Sequence, residues 1–136
     1  MKKFILPSLL LVLGLFIFTA CGGDGPQSVD EGNPLIGEWE WNLYDGLFME
    51  FNADGTGSRN WWEGDVQTFD WWTVGDDLLR VNITGGYEEM EALIAAEGYS
   101  LNLDEHWTFS FIGSNDVLVI ESRQVAGEIW TYHRVN

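Results

Sequence analysis

From residue 35 onward, apolar and polar residues alternate in short runs separated by glycine, aspartate and asparagine, which is the period of a half-buried β-strand. Residues 35–42 place Trp39 and Trp41 on one face and Glu38 and Glu40 on the other. Residues 46–53 alternate Leu47, Met49 and Phe51, and Asn52-Ala53-Asp54-Gly55 then supplies side chains suited to a tight turn. Strands are predicted over 56–62, 66–74 and 78–83, the last with Leu79, Val81 and Ile83 on a shared face. After a break, 105–112 alternates Trp107, Phe109 and Phe111 with Thr108 and Ser110, and 117–122 and 128–135 follow. Eight successive short strands with turn signals between them predict an all-β, antiparallel meander closed as a small barrel or folded as a sandwich.

The break has a different period. Residues 87–97 are rich in helix formers and poor in β-branching. Tyr87, Met90 and Ile94 fall on one helical stripe, Glu88, Glu89 and Glu91 on the opposite side, Gly85-Gly86 ends the preceding strand, and Gly98 is placed to cap the helix. One short helix is expected here, lying across an end or face of the sheet as either a gate or a plug. Residues 71–81 and 109–120 also echo each other: an aromatic strand, glycine with aspartate or asparagine, then an aliphatic strand. The echo predicts two similar hairpins and carries no chemical signature.

The N-terminus reads as an address. Lys2 and Lys3 precede an apolar run over residues 5–18, followed by Thr19-Ala20-Cys21. A basic start, a short apolar core and a small residue before a cut describe a secretory signal, and the run is short for a membrane-spanning helix. Cys21 is the single cysteine, so no intramolecular disulfide is available. Its setting resembles the bacterial lipobox, with Phe18 where leucine is usual; that resemblance implies a diacylglycerol on Cys21 and an anchor on the extracytoplasmic face of a bacterial membrane. The expected organisation is a signal over 1–20, a tether over 21–34 too poor in apolar residues to fold alone, and a β domain over 35–136.

Charge narrows the partners. Both lysines lie in the signal, and the remainder carries four arginines against 22 acidic residues, a net of −18. Such a surface repels phosphate backbones and anionic headgroups, so no nucleic acid partner is expected.

Taken in order, Gly37-Glu38-Trp39-Glu40-Trp41, Phe51-Asn52-Ala53-Asp54-Gly55-Thr56-Gly57, Phe69-Asp70-Trp71, the two glycine hairpins and Trp130-Thr131-Tyr132-His133-Arg134-Val135 resemble the motifs of small bacterial lipocalin-like lipoproteins. Gly37-Glu38-Trp39 is similar to the Gly-x-Trp of lipocalins; their disulfides are absent and the domain is shorter. The resemblance implies a lipocalin-like barrel. Fold motifs of this kind say little about a ligand.

The chain holds eight tryptophans. Trp39, Trp41, Trp71, Trp107 and Trp130 sit at alternating apolar positions and are read as core. Trp61-Trp62 and Trp71-Trp72 are adjacent pairs, whose members point to opposite faces of a strand. Trp62 and Trp72, with Tyr87 on the helix, are therefore the candidate ligand contacts, for a small apolar molecule or a glycan. Asn52, Asp54, Asp76, Asp77, Asn115 and Asp116 lie where turns need them and lack the spacing of a calcium loop. His106 and His133 lack metal-ligand spacing, and no nucleophile elbow, phosphate loop or zinc-protease motif is present. The expectation is a non-enzymatic binding module without a cofactor or metal. The rival is a structural or protein-interaction lipoprotein with a filled barrel, and the interior volume discriminates between them.

Overall fold

The computed structural model describes residues 29–60 and 65–136. Cys21 and the predicted signal, with Trp61 and Trp62, lie outside the described residues. Eight strands form: β1 (Gly37–Trp41), β2 (Phe48–Phe51), β3 (Thr56–Asn60), β4 (Val66–Val74), β5 (Leu78–Gly85), β6 (Asp104–Ile112), β7 (Val117–Ser122) and β8 (Ile129–Arg134). Each pairs antiparallel with its sequence neighbours, and β1 pairs with β8 to close the barrel. Closure removes the exposed strand edges that an open sheet would leave. Among the described residues no helix is long and apolar enough to cross a membrane.

The alternation of the sequence becomes the inside and outside of this barrel. Trp39, Phe51, Phe69, Trp71, Leu79, Val81, Leu118 and Ile120 are buried, while Glu38, Glu50, Thr68 and Glu121, one residue out of phase, are exposed. Trp107 is buried as expected, whereas Phe109, expected in the core beside it, is half-buried and packs against it. Phe51 meets Phe69 and Trp71 edge to face, at centroid distances of 5.6 and 5.0 Å. Gly57 makes room for this cluster: a Cβ there would fall 2.2 Å from the Phe69 ring and 2.5 Å from the Glu50 carbonyl oxygen.

One pole of the barrel is sealed. The β2–β3, β4–β5 and β6–β7 turns lie at this pole, as does the chain entering β1. The first predicted strand therefore starts later than residue 35: Gly37 adopts φ +128, which breaks the extended run, and Leu35 is fully buried as a plug ahead of it. The Trp39 indole donates to the Leu35 carbonyl (2.8 Å). Arg134 donates to the carbonyls of Pro34 (2.6 Å), Ile36 (3.1 Å) and Asn115 (3.1 Å), and its guanidinium lies 4.2 Å from the Trp39 ring centroid. The Trp71 indole donates to Asn52 and Thr56 carbonyls, tying the β2–β3 turn to the core. In that turn Asp54 accepts from the Thr56 amide and hydroxyl, so this carboxylate is used in building the turn.

The helix α1 (Glu88–Ala96) joins β5 to β6 at the opposite pole. Gly86 sets its entry with φ +72, and Gly98 with φ +82 follows its end. Tyr87, Met90 and Ile94 are half-buried and Leu93 is exposed, which matches the predicted stripe, but no residue of α1 is fully buried. The helix and Trp72 lie apart. Trp71 takes the interior, so Trp72 stands on the outer wall, paired with Arg80 toward the sealed pole, whereas Glu88, Glu89 and Met90 lie against the start of β4 at Asp65, Val66 and Gln67.

Candidate functional site

Seen along the strands, the interior changes character toward the open pole. Strand β3 has little hydrophobic pattern, yet its phase is fixed by pairing: Arg59 lies opposite Met49 on β2 and Gln67 on β4, both buried, and so points inward. On β6 the inward series Trp107, Phe109 and Phe111 is preceded by Glu105. The two charges meet across the barrel. Arg59 donates through Nη2 to Glu105 Oε1 (2.7 Å) and through Nη1 to Oε2 (3.0 Å), while its Nε donates to Gln67 Oε1 (2.9 Å). Only 10% of the Arg59 side chain and 16% of the Glu105 side chain remain exposed, which makes this an interior ion pair. The Trp107 indole completes the network by donating to Glu105 Oε2 (3.1 Å).

Beside this pair is a pocket of about 170 Å³ lined by Trp41, Leu47, Phe48, Arg59, Asn60, Trp130 and Tyr132. The rings of the aromatic wall touch in tilted pairs: Trp41 lies 4.8 Å from Trp130 and 5.1 Å from Tyr44, centroid to centroid. The Trp130 indole donates to Glu128 Oε1 (3.2 Å). Asn60 holds the rim, its amide accepting from the Phe48 N–H and donating to the Gly46 carbonyl. Burial pushes the Tyr132 phenol well above its ordinary value; Arg59 draws it back, and Glu105 and Glu128 add to the rise. At neutral pH Tyr132 is thus an uncharged phenol. A cavity of about 150 Å³ with apolar walls accepts a benzene-sized guest, so this pocket has enclosed room for about one ring.

The residues singled out beforehand divide. Trp72 is half-buried on the outer wall, with the Arg80 guanidinium 5.6 Å from its ring centroid. Arg80 also binds Asp104, which accepts from His106 Nε2 at 3.1 Å. Burial works to raise the Asp104 carboxyl, but the hydrogen bonds from His106 and Arg80 outweigh it and hold the group below its usual range. Exposed pairs of this kind contribute at most about 1 kcal/mol. Tyr87 packs against the core at the foot of α1. Neither Trp72 nor Tyr87 lines the aromatic pocket. Trp41 and Trp130, read as core fillers, do line it, and Arg59, Glu105 and Gln67 carried no prediction. The signal that finds Glu105 and Gln67 is a polar residue in phase with an inward aromatic series, two before Trp107 and two before Phe69; Arg59 has no such signal.

Fold and site define a small antiparallel barrel, plugged at one pole and pocketed at the other. No known protein family matches the chain, and no curated protein is recognisably similar to it.

Proposed function

We propose that this chain is an extracytoplasmic lipoprotein, anchored through Cys21, whose barrel is a non-enzymatic binding module for a compact apolar molecule. The observation that carries the reading is the aromatic pocket of about 170 Å³ above the buried core. Mostly apolar walls with a few placed polar groups are the usual composition of a small-molecule site. They favour an apolar guest over a glycan, which would need more hydrogen-bonding partners than the pocket wall supplies. The likeness of the motifs to lipocalin-like lipoproteins supports the same reading.

A test follows the indole N–H resonances during titration with benzyl alcohol and, separately, with glucose. Saturable shifts with benzyl alcohol, weakened at least tenfold in Trp130→Ala and absent with glucose, are expected. The rival reading, an interaction protein, draws on a rim of exposed Leu43, Tyr44, Leu93, Tyr99, Val125 and Ile129 at the pocketed pole. It leads if no apolar probe gives a saturable shift. For the anchor, Cys21→Ser is expected to release the protein from the membrane fraction; full retention with labelled lipid absent from the wild type would remove the lipoprotein assignment.

A further inference from the structure

An arginine in the wall of a lipocalin-like pocket invites a carboxylate ligand, and the geometry points the other way. We infer that Glu105 is a specificity-determining residue that closes Arg59 to anions, so that the pocket selects uncharged guests. The inference rests on the binding-module reading above and adds the charge class of the ligand.

Three observations carry it. First, all three nitrogens of the Arg59 guanidinium have protein acceptors: Nη1 and Nη2 hold Glu105 in a fork, and Nε holds Gln67. A carboxylate guest seeking the forked contact would have to displace one already tethered, and desolvated, in that bidentate geometry. Charge-assisted forked pairs are among the stronger hydrogen-bonded contacts. Second, Glu105 is itself held in place, since the Trp107 indole donates to the same Oε2 that Nη1 engages. Strand pairing fixes its backbone as well, opposite Val81. Third, the remaining charge near the guest is negative. Arg59 and Glu105 cancel, and Glu128 stands on the Trp130 indole at the edge of the wall. The net charge of −16 for the whole chain opposes an approaching anion at longer range. The pocket thus contains a latent anion site whose natural occupant is a side chain of the protein.

The consequence is a gain of binding on mutation. Glu105→Gln keeps an oxygen acceptor for Arg59 or for the Trp107 indole but removes the competing charge. Dissociation constants for benzyl alcohol and benzoate, which share one ring and differ in charge, are measured from the indole N–H shifts at fixed ionic strength. In the wild type, benzoate should bind at least tenfold more weakly than benzyl alcohol. In Glu105→Gln, benzoate should tighten at least tenfold relative to benzyl alcohol. The double variant Arg59→Met/Glu105→Met, which retains volume without charge, should show no such gain for benzoate relative to benzyl alcohol. Equal binding of the two probes by the wild type overturns the inference and leaves the pocket reading intact, and this comparison needs no variant to fold. A gain for benzoate in the double variant also overturns it, because Arg59 would not be the anion's partner. Absence of binding by either probe to the wild type removes the pocket reading, and the inference with it.

Discussion

Replacing Trp39 by alanine is expected to cost about 3–5 kcal/mol, the range for deleting a large aromatic from a packed core, and to leave much of the chain unfolded at 37 °C. Trp39 is fully buried, and it connects three parts of the sealed pole. Its ring packs 5.8 Å from Phe111 on β6, its outer face carries the Arg134 guanidinium, and its indole N–H holds the Leu35 carbonyl. Alanine therefore removes ring volume, a cation–π contact and the partner of a carbonyl that lies beside a buried plug. A domain of about 100 residues has roughly 5–15 kcal/mol in total, so one substitution consumes a large part of the margin. Trp39→Phe keeps the ring and loses the indole donor, and should lie well below the alanine variant. Urea unfolding followed by circular dichroism reads both. A loss under 1 kcal/mol for alanine would place this ring outside the core.

The second large effect is non-additive. Arg59→Met strands Glu105 as an unpaired charge with little exposure, and such a change costs about 3–5 kcal/mol. Glu105→Met strands Arg59 and should cost a similar amount. Removing both charges together, in Arg59→Met/Glu105→Met, should recover part of the loss, because neither ion is left unpaired, while Gln67 and the Trp107 indole each lose a partner at a cost of about 1–3 kcal/mol. The same denaturation series, analysed as a double-mutant cycle, checks this. If the two single losses simply add in the double variant, the charges are not coupled through the contact seen here.

The barrel was legible in the sequence because its signals are local. Alternation at Trp107-Thr108-Phe109-Ser110-Phe111 states both the strand and its inward face, and Gly113 through Asp116 states the turn, where Asn115 adopts φ 65 and Gly113 φ 71. The pocket was not legible, because its parts come from strands far apart in the chain. Arg59 and Glu105 are 46 residues apart, and nothing in Thr56-Gly57-Ser58-Arg59-Asn60 marks an inward position until β2 and β4 pair with it. Paired tryptophans drew notice to Trp72, since composition records an aromatic without its face. Trp41 and Trp130 looked like core for the same reason: alternation reports the inside of a barrel and not the level along its axis at which filling stops. Leu35 was misplaced into the first strand because burial alone cannot separate an extended residue from a plug; the difference lies in the backbone at Gly37.

The plug also orients the molecule. Val29, the first described residue, donates its N–H to Ala53 in the β2–β3 turn, so the chain enters at the pole opposite the pocket. From Cys21 to Val29 the chain reaches at most about 28 Å at roughly 3.5 Å per residue. If Cys21 carries the lipid, the tether leaves from the sealed pole and the pocket opens at the pole away from it. A guest would then sit on the side of the barrel away from the surface. A compact molecule would be taken from, and returned to, the aqueous space beyond the membrane, and exchange with the bilayer itself would require the whole barrel to invert on its leash.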